Sequence, residues 1–61
     1  LSVAKIKKAM KELPEGYRVV FSLYLIEGYD HKEISKILGI TESTSKSQLN
    51  RAKSKLRALM A

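Results

Sequence analysis

The sequence predicts an all-α fold, a small bundle of about four helices that contains a helix-turn-helix, with helices over about 2–12, 15–27, 31–38 and 42–60. Three observations carry this. Apolar residues recur at spacings of three and four through most of the chain. Helix-stopping and helix-starting residues stand at 13–14, at 28–30 and at 39–41. The one stretch rich enough in β-branched and aromatic residues to be a strand, 19–26, has no second strand-like stretch to pair with.

The first helix places Val3, Ile6, Met10 and Leu13 on an apolar stripe, with Lys5, Lys7, Lys8 and Lys11 on the other faces. Leu13-Pro14 ends it and opens the second helix, because proline cannot continue a helix interior but is tolerated where a helix begins. The second helix holds Tyr17, Val19, Val20, Phe21, Leu23, Tyr24, Leu25 and Ile26 and is the expected centre of the core, with Gly28 as its C-terminal stop. Asp30 then caps a third helix, with Glu33 at capping-box spacing and Ile34, Ile37 and Leu38 as the inner face. Gly39 stops this helix, Ile40 anchors the turn, and Thr41 is the N-cap of the fourth.

Sixty-one residues suffice for one domain with a small core and leave little room for an enzyme's cleft, so no enzymatic activity is expected. There is no cysteine, hence no disulfide framework, thiol nucleophile or zinc finger, and the single histidine and six scattered carboxylates suggest neither a metal site nor a cofactor. The longest apolar run is too short to span a bilayer and no signal peptide is visible, so a cytoplasmic location is expected. The start at Leu1 is that expected of a piece of a longer chain.

Charge is informative once it is divided. The formal net charge is +6, from 12 basic and 6 acidic residues, which suits a polyanionic partner without naming it. Residues 1–29 carry five basic and three acidic side chains, whereas residues 43–61 carry five basic and none acidic. The excess lies on the fourth helix.

Read at about 100° per residue, the fourth helix turns Leu49, Ala52, Leu56 and Leu59 inward. Ser43, Ser47, Asn50, Arg51 and Ser54 lie opposite, with Thr44, Lys46 and Arg57 at the margins. Hydroxyls, an amide and cations on one face can bond base edges and phosphates, and the lack of glutamate for i,i+4 pairing with lysine sets this helix apart from a merely solvated one. A helix-turn-helix would lay it in the DNA major groove. At the start of the third helix, His31 and Lys32 can reach phosphates, although for His31 a plain exposed first-turn residue is the preferred reading. Tyr17, Tyr24 and Tyr29 fall outside the basic face and are expected in or beside the core.

Residues 13–56 closely resemble the C-terminal region four of bacterial sigma factors of the extracytoplasmic-function type, in the sigma-70 family. The resemblance rests on Leu13-Pro14-Glu15, Arg18 with Val20-Phe21, Glu27-Gly28, Glu33-Ile34, Leu38-Gly39-Ile40, and Thr44, Lys46, Ser47, Leu49, Arg51, Ala52 and Lys53. It implies a four-helix domain whose last helix recognises the minus-35 promoter element while other surfaces engage RNA polymerase core, with an anti-sigma factor as a further partner. It places Lys46, Ser47, Asn50 and Arg51 at base edges, and His31, Lys32, Ser43, Thr44, Lys53, Ser54 and Lys55 are the candidates for the DNA backbone. Ser45 departs from the pattern, standing on the inward stripe where the family usually has Val; its hydroxyl is expected to bond back to a carbonyl of the preceding turn. Gln48 and Asn50 occupy positions that vary in the family, so the resemblance does not set the DNA sequence preferred. Two other readings stay open, a stand-alone or response-regulator-type helix-turn-helix regulator and a basic module that docks on an acidic protein.

Overall fold

The computed structural model describes residues 3–61 and is all-helical over them, with no strand among the described residues. Its elements are α1 (Val3–Glu12), α2 (Glu15–Phe21) running directly into a π-helical segment (Ser22–Ile26), α3 (His31–Leu38) and α4 (Glu42–Met60). The start of the first helix expected at Ser2 lies outside the described residues.

The expected punctuation appears in the backbone. Pro14 takes the N-cap position of α2, with its carbonyl accepting from Arg18 N–H at 3.0 Å. Asp30 and Glu33 form the reciprocal capping box of α3, the Asp30 carboxylate accepting from Glu33 N–H at 2.8 Å and the Glu33 carboxylate from Asp30 N–H at 3.1 Å. Gly39 ends α3 in the left-handed region at φ 68, which lets the Gly39 and Ile40 N–H groups both reach the Ser35 carbonyl. Two residues later the Thr41 hydroxyl caps α4 by accepting from Thr44 N–H at 3.0 Å.

The expected continuous second helix is corrected in its second half. From Ser22 onward the backbone bonds lengthen by one residue, as in Glu27 N–H to Ser22 carbonyl at 3.0 Å. The segment closes through Tyr29 N–H to Leu23 carbonyl at 2.9 Å, across Gly28 at φ 82.

α4 is the spine, packing against α1, α2 and α3. Val20, Ile34 and Leu49, one each from α2, α3 and α4, form the buried centre, with Phe21, Leu23, Tyr24 and Ile40 packed around it. Ala9, Leu13 and Ala52 are the other buried apolar residues among those described.

Several apolar residues expected inside are not. On α3 only Ile34 is buried, at 0% exposure, while Ile37 is 53% exposed and Leu38 lies outside as well. This eight-residue helix packs mainly against α4 and the π-helical segment, with Val20 of α2 also meeting Ile34, so it is sealed along one line that Ile37 and Leu38 flank. Leu25 and Ile26 face outward because their segment is apolar all round while neighbours cover one side. Val3 and Leu59 lie in terminal turns and are exposed, Leu59 beside Lys8 and Glu12 of α1, and Tyr29 is on the surface, whereas Tyr17 and Tyr24 hold the expected core edge. So small a chain cannot enclose all its apolar surface.

Candidate nucleic-acid interface

α4 carries the candidate surface, and its position follows from the residues beneath it. Ser45, Leu49 and Ala52 are buried and Leu56 is half-buried, which decides which side of the helix faces inward. The opposite side is thereby exposed: Ser43, Thr44, Lys46, Ser47, Asn50, Arg51, Lys53, Ser54, Lys55 and Arg57 all face solvent. Lys46, Ser47, Asn50 and Arg51 occupy two adjacent turns and span about 7.5 Å along the axis at 1.5 Å per residue, a footprint of roughly two base pairs at 3.4 Å each. Glu42, in the first turn, is the sole acidic residue of α4. Lys32, in the first turn of α3, is also exposed.

Two candidates prove more constrained than the sequence suggests. The Thr44 hydroxyl lies 2.8 Å from that of Thr41, inside the cap of α4. His31 is half-buried rather than a plain exposed residue: its ring stacks on Tyr24 with centroids 4.5 Å apart and planes inclined by 20°, and its Nδ1 lies 2.8 Å from the Ser45 hydroxyl.

The Ser45 contact corrects the expected local back-bond. Ser45 is fully buried, and its backbone N–H already bonds the Thr41 carbonyl at 3.0 Å, as an ordinary helical residue does. Its hydroxyl crosses to α3. The signal was present in the sequence, since an inward-facing hydroxyl needs a partner and the chain's one imidazole begins the neighbouring helix. Gln48 is turned away from the reading face, against Gly16 at the start of α2, and its Oε1 is buried without a partner among the described residues.

The groups facing outward are hydrogen-bond donors, acceptors and fixed cations. Among the described residues no three His, Cys, Asp or Glu side chains gather where they could hold a metal ion. No helix among them is long and apolar enough to cross a membrane.

Comparison with known proteins bears on this arrangement. The model of the family described as "Sigma-70, region 4" matches residues 4–56, which include all of α2 and α3 and most of α4. The chain belongs to the sigma-70 region 4 family. Among its relatives, the "ECF RNA polymerase sigma factor SigM" of Bacillus subtilis (strain 168) is 44% identical over 50 residues, covering 82% of this chain and 31% of the relative. The "RNA polymerase sigma factor SigZ" of the same organism is 40% identical over 55 residues, or 90% of this chain and 31% of the relative. The "ECF RNA polymerase sigma factor EcfG" of Rhodopseudomonas palustris (strain TIE-1) is 33% identical over 60 residues, 98% of this chain and 33% of the relative. This region 4 chain therefore spans about a third of the length of the curated relatives it matches. Its α3-turn-α4 unit is the family's helix-turn-helix, and the exposed basic face belongs to the second helix of that unit.

Proposed function

We propose that this chain is the promoter-reading part of a sigma factor of the extracytoplasmic-function type, recognising the minus-35 element during transcription initiation. One observation carries the reading: the exposed face of α4, the second helix of a region 4 helix-turn-helix, bears five cations and no acidic residue after Glu42. In this reading Lys46, Ser47, Asn50 and Arg51 enter the major groove and meet base edges. Lys32, Ser43, Thr44, Lys53, Ser54 and Lys55 hold phosphates, and His31 reaches one only through the ring nitrogen that does not face Ser45.

A single recognition helix offers contacts to one half-site, and useful affinity then requires dimerisation or tethering. Tethering to RNA polymerase core is the solution we favour, because the relatives are RNA polymerase sigma factors by name. An open, largely apolar groove of about 550 Å³, lined by Ile6, Phe21, Leu56 and Met60 together with Lys53 and Arg57, between α1, α2 and the end of α4, is the candidate surface for the polymerase, and it adjoins the DNA face at Lys53. An anti-sigma factor is the second protein partner in this reading, and the cytoplasm is where it would operate.

The test begins by selecting a preferred duplex from a randomised pool and titrating it and a scrambled duplex at several salt concentrations. If the three lysines assigned to phosphates reach them, the slope of log affinity against log salt is about −2.7, and a fourfold rise in salt weakens binding roughly 40-fold. A response flat in salt, with no selectable sequence, would favour a basic module that docks on an acidic protein.

A further inference from the structure

At the junction of the π-helical segment, α3 and α4, three side chains meet at one imidazole. The His31 ring stacks on Tyr24 of the π-helical segment and bonds Ser45 of α4 through Nδ1 at 2.8 Å. Ser45 is fully buried and is the one buried polar residue among the described residues. The stacking fixes the plane of the ring, and with it the direction in which Nδ1 points. A hydrogen bond weakens steeply when misaligned, so an imidazole held in this plane accepts the Ser45 hydroxyl, or donates to it in the other tautomer, over a narrow range of helix positions.

What this bond touches matters for reading DNA. Ser45 lies in the first turn of α4, immediately before Lys46 and Ser47, on the side of the helix opposite the exposed face. Below it, Ile34 and Leu49 make non-directional apolar contact, which tolerates small rotations and slides of one helix on another. The His31 bond is the directional contact between the two helices of the helix-turn-helix. An apolar side chain at position 45 would supply no such constraint.

We propose that His31 is a positioning residue for the recognition helix. Its Nδ1, aimed by the stack on Tyr24, sets the rotation of the first turn of α4 and so the angle at which Lys46, Ser47, Asn50 and Arg51 meet the bases. Phosphate contacts by long flexible cations tolerate such a rotation, whereas base-edge contacts do not. Losing the bond therefore lowers discrimination between sequences more than it lowers affinity for DNA in general. The inference rests on α4 being the DNA-reading helix, and measuring the unsubstituted chain first separates the two. Absence of discrimination there would overturn the function reading, and this inference with it, whereas discrimination that survives loss of the bond would overturn the inference alone.

The experiment compares the affinity ratio between the selected and the scrambled duplex in four variants, each held below its own unfolding transition as followed by circular dichroism. His31→Phe keeps a stacking ring and removes the nitrogen. His31→Asn removes the ring and keeps a hydrogen-bonding atom near the place of Nδ1. Ser45→Ala removes the hydroxyl from the other side of the bond, and the His31→Phe/Ser45→Ala pair tests whether the two losses are one. In Ser45→Ala, which removes no group assigned to DNA, the ratio is expected to fall about fivefold or more, the lower end of what one base contact carries, with the salt slope unchanged; in His31→Phe the ratio is expected to fall as far, since loss of a phosphate contact affects both duplexes alike and cancels in it. His31→Asn is expected to recover part of the ratio, and the double variant to be no worse than either single one. Should His31→Phe not fold, Ser45→Ala and His31→Asn still decide the matter. An unchanged ratio in folded Ser45→Ala, or equal losses on both duplexes, would overturn the proposal.

Discussion

Two isoleucines one helical turn apart on α3 should behave oppositely when shortened to alanine. Ile34 is completely enclosed between Val20 and Leu49, whereas Ile37 is 53% exposed. Removing most of a fully buried isoleucine side chain loses its transfer free energy and leaves a cavity, at a cost of about 2–5 kcal/mol. At about 0.05–0.15 kcal/mol per residue, a chain of 61 residues has roughly 3–9 kcal/mol of stability in total. Ile34→Ala should thus remove much or all of the folded population, by detaching α3 from α4. Ile37→Ala loses little burial and gains some helix propensity, so its net effect should stay within about 0.5 kcal/mol. Urea unfolding followed by far-UV circular dichroism, with the three chains compared at one temperature, measures both differences. A loss below about 1 kcal/mol for Ile34→Ala, or an equal loss for Ile37→Ala, would refute the placement of the core on a single line of α3.

Two further perturbations test the joints of the helix-turn-helix. Asp30→Ala removes the carboxylate half of the α3 capping box and should cost about 0.5–2 kcal/mol, read as a lower midpoint in thermal unfolding, while Asp30→Ser should recover most of it. Gly39→Ala forces a side chain into a left-handed backbone at φ 68, so the expected loss is about 1–2 kcal/mol although the space around the position is open. Gly39→Asn should lose less, which chemical unfolding of the two variants would show.

Much of this fold is legible in the sequence because its joints are punctuated. Leu13-Pro14, Gly28, the Asp30 and Glu33 pair, Gly39 and Thr41 each have a local backbone job that a short stretch of residues reveals, and the structure uses each for it. The rotation of α4 is legible for a related reason, since a long regular helix converts spacing into angle and Ser45, Leu49 and Ala52 land on its buried side. Periodicity names a face without saying what covers it, and so Ile37, Leu38, Leu25, Ile26 and Leu59 were expected inside and lie outside. The π-helical turn has no glycine or proline within it to mark it. The His31 to Ser45 bond joins residues 14 apart on different helices, and a local reading of either one finds only an ordinary first-turn residue or a back-bonded serine. Of the candidate interface, exposure of the α4 face is settled by the core beneath it. The division of that face into base readers and phosphate holders depends on how a duplex seats against it.

The most direct test of that division is the affinity of Asn50→Ala, Arg51→Ala and Lys55→Ala for the selected and the scrambled duplex. If the outer face of α4 reads sequence through its central turns, Asn50→Ala or Arg51→Ala should cost about 1–3 kcal/mol on the selected duplex and little on the scrambled one. Lys55→Ala should weaken both alike and reduce the salt slope by about 1. Equal losses on both duplexes for Asn50→Ala and Arg51→Ala would contradict the assignment of α4 as the reading helix.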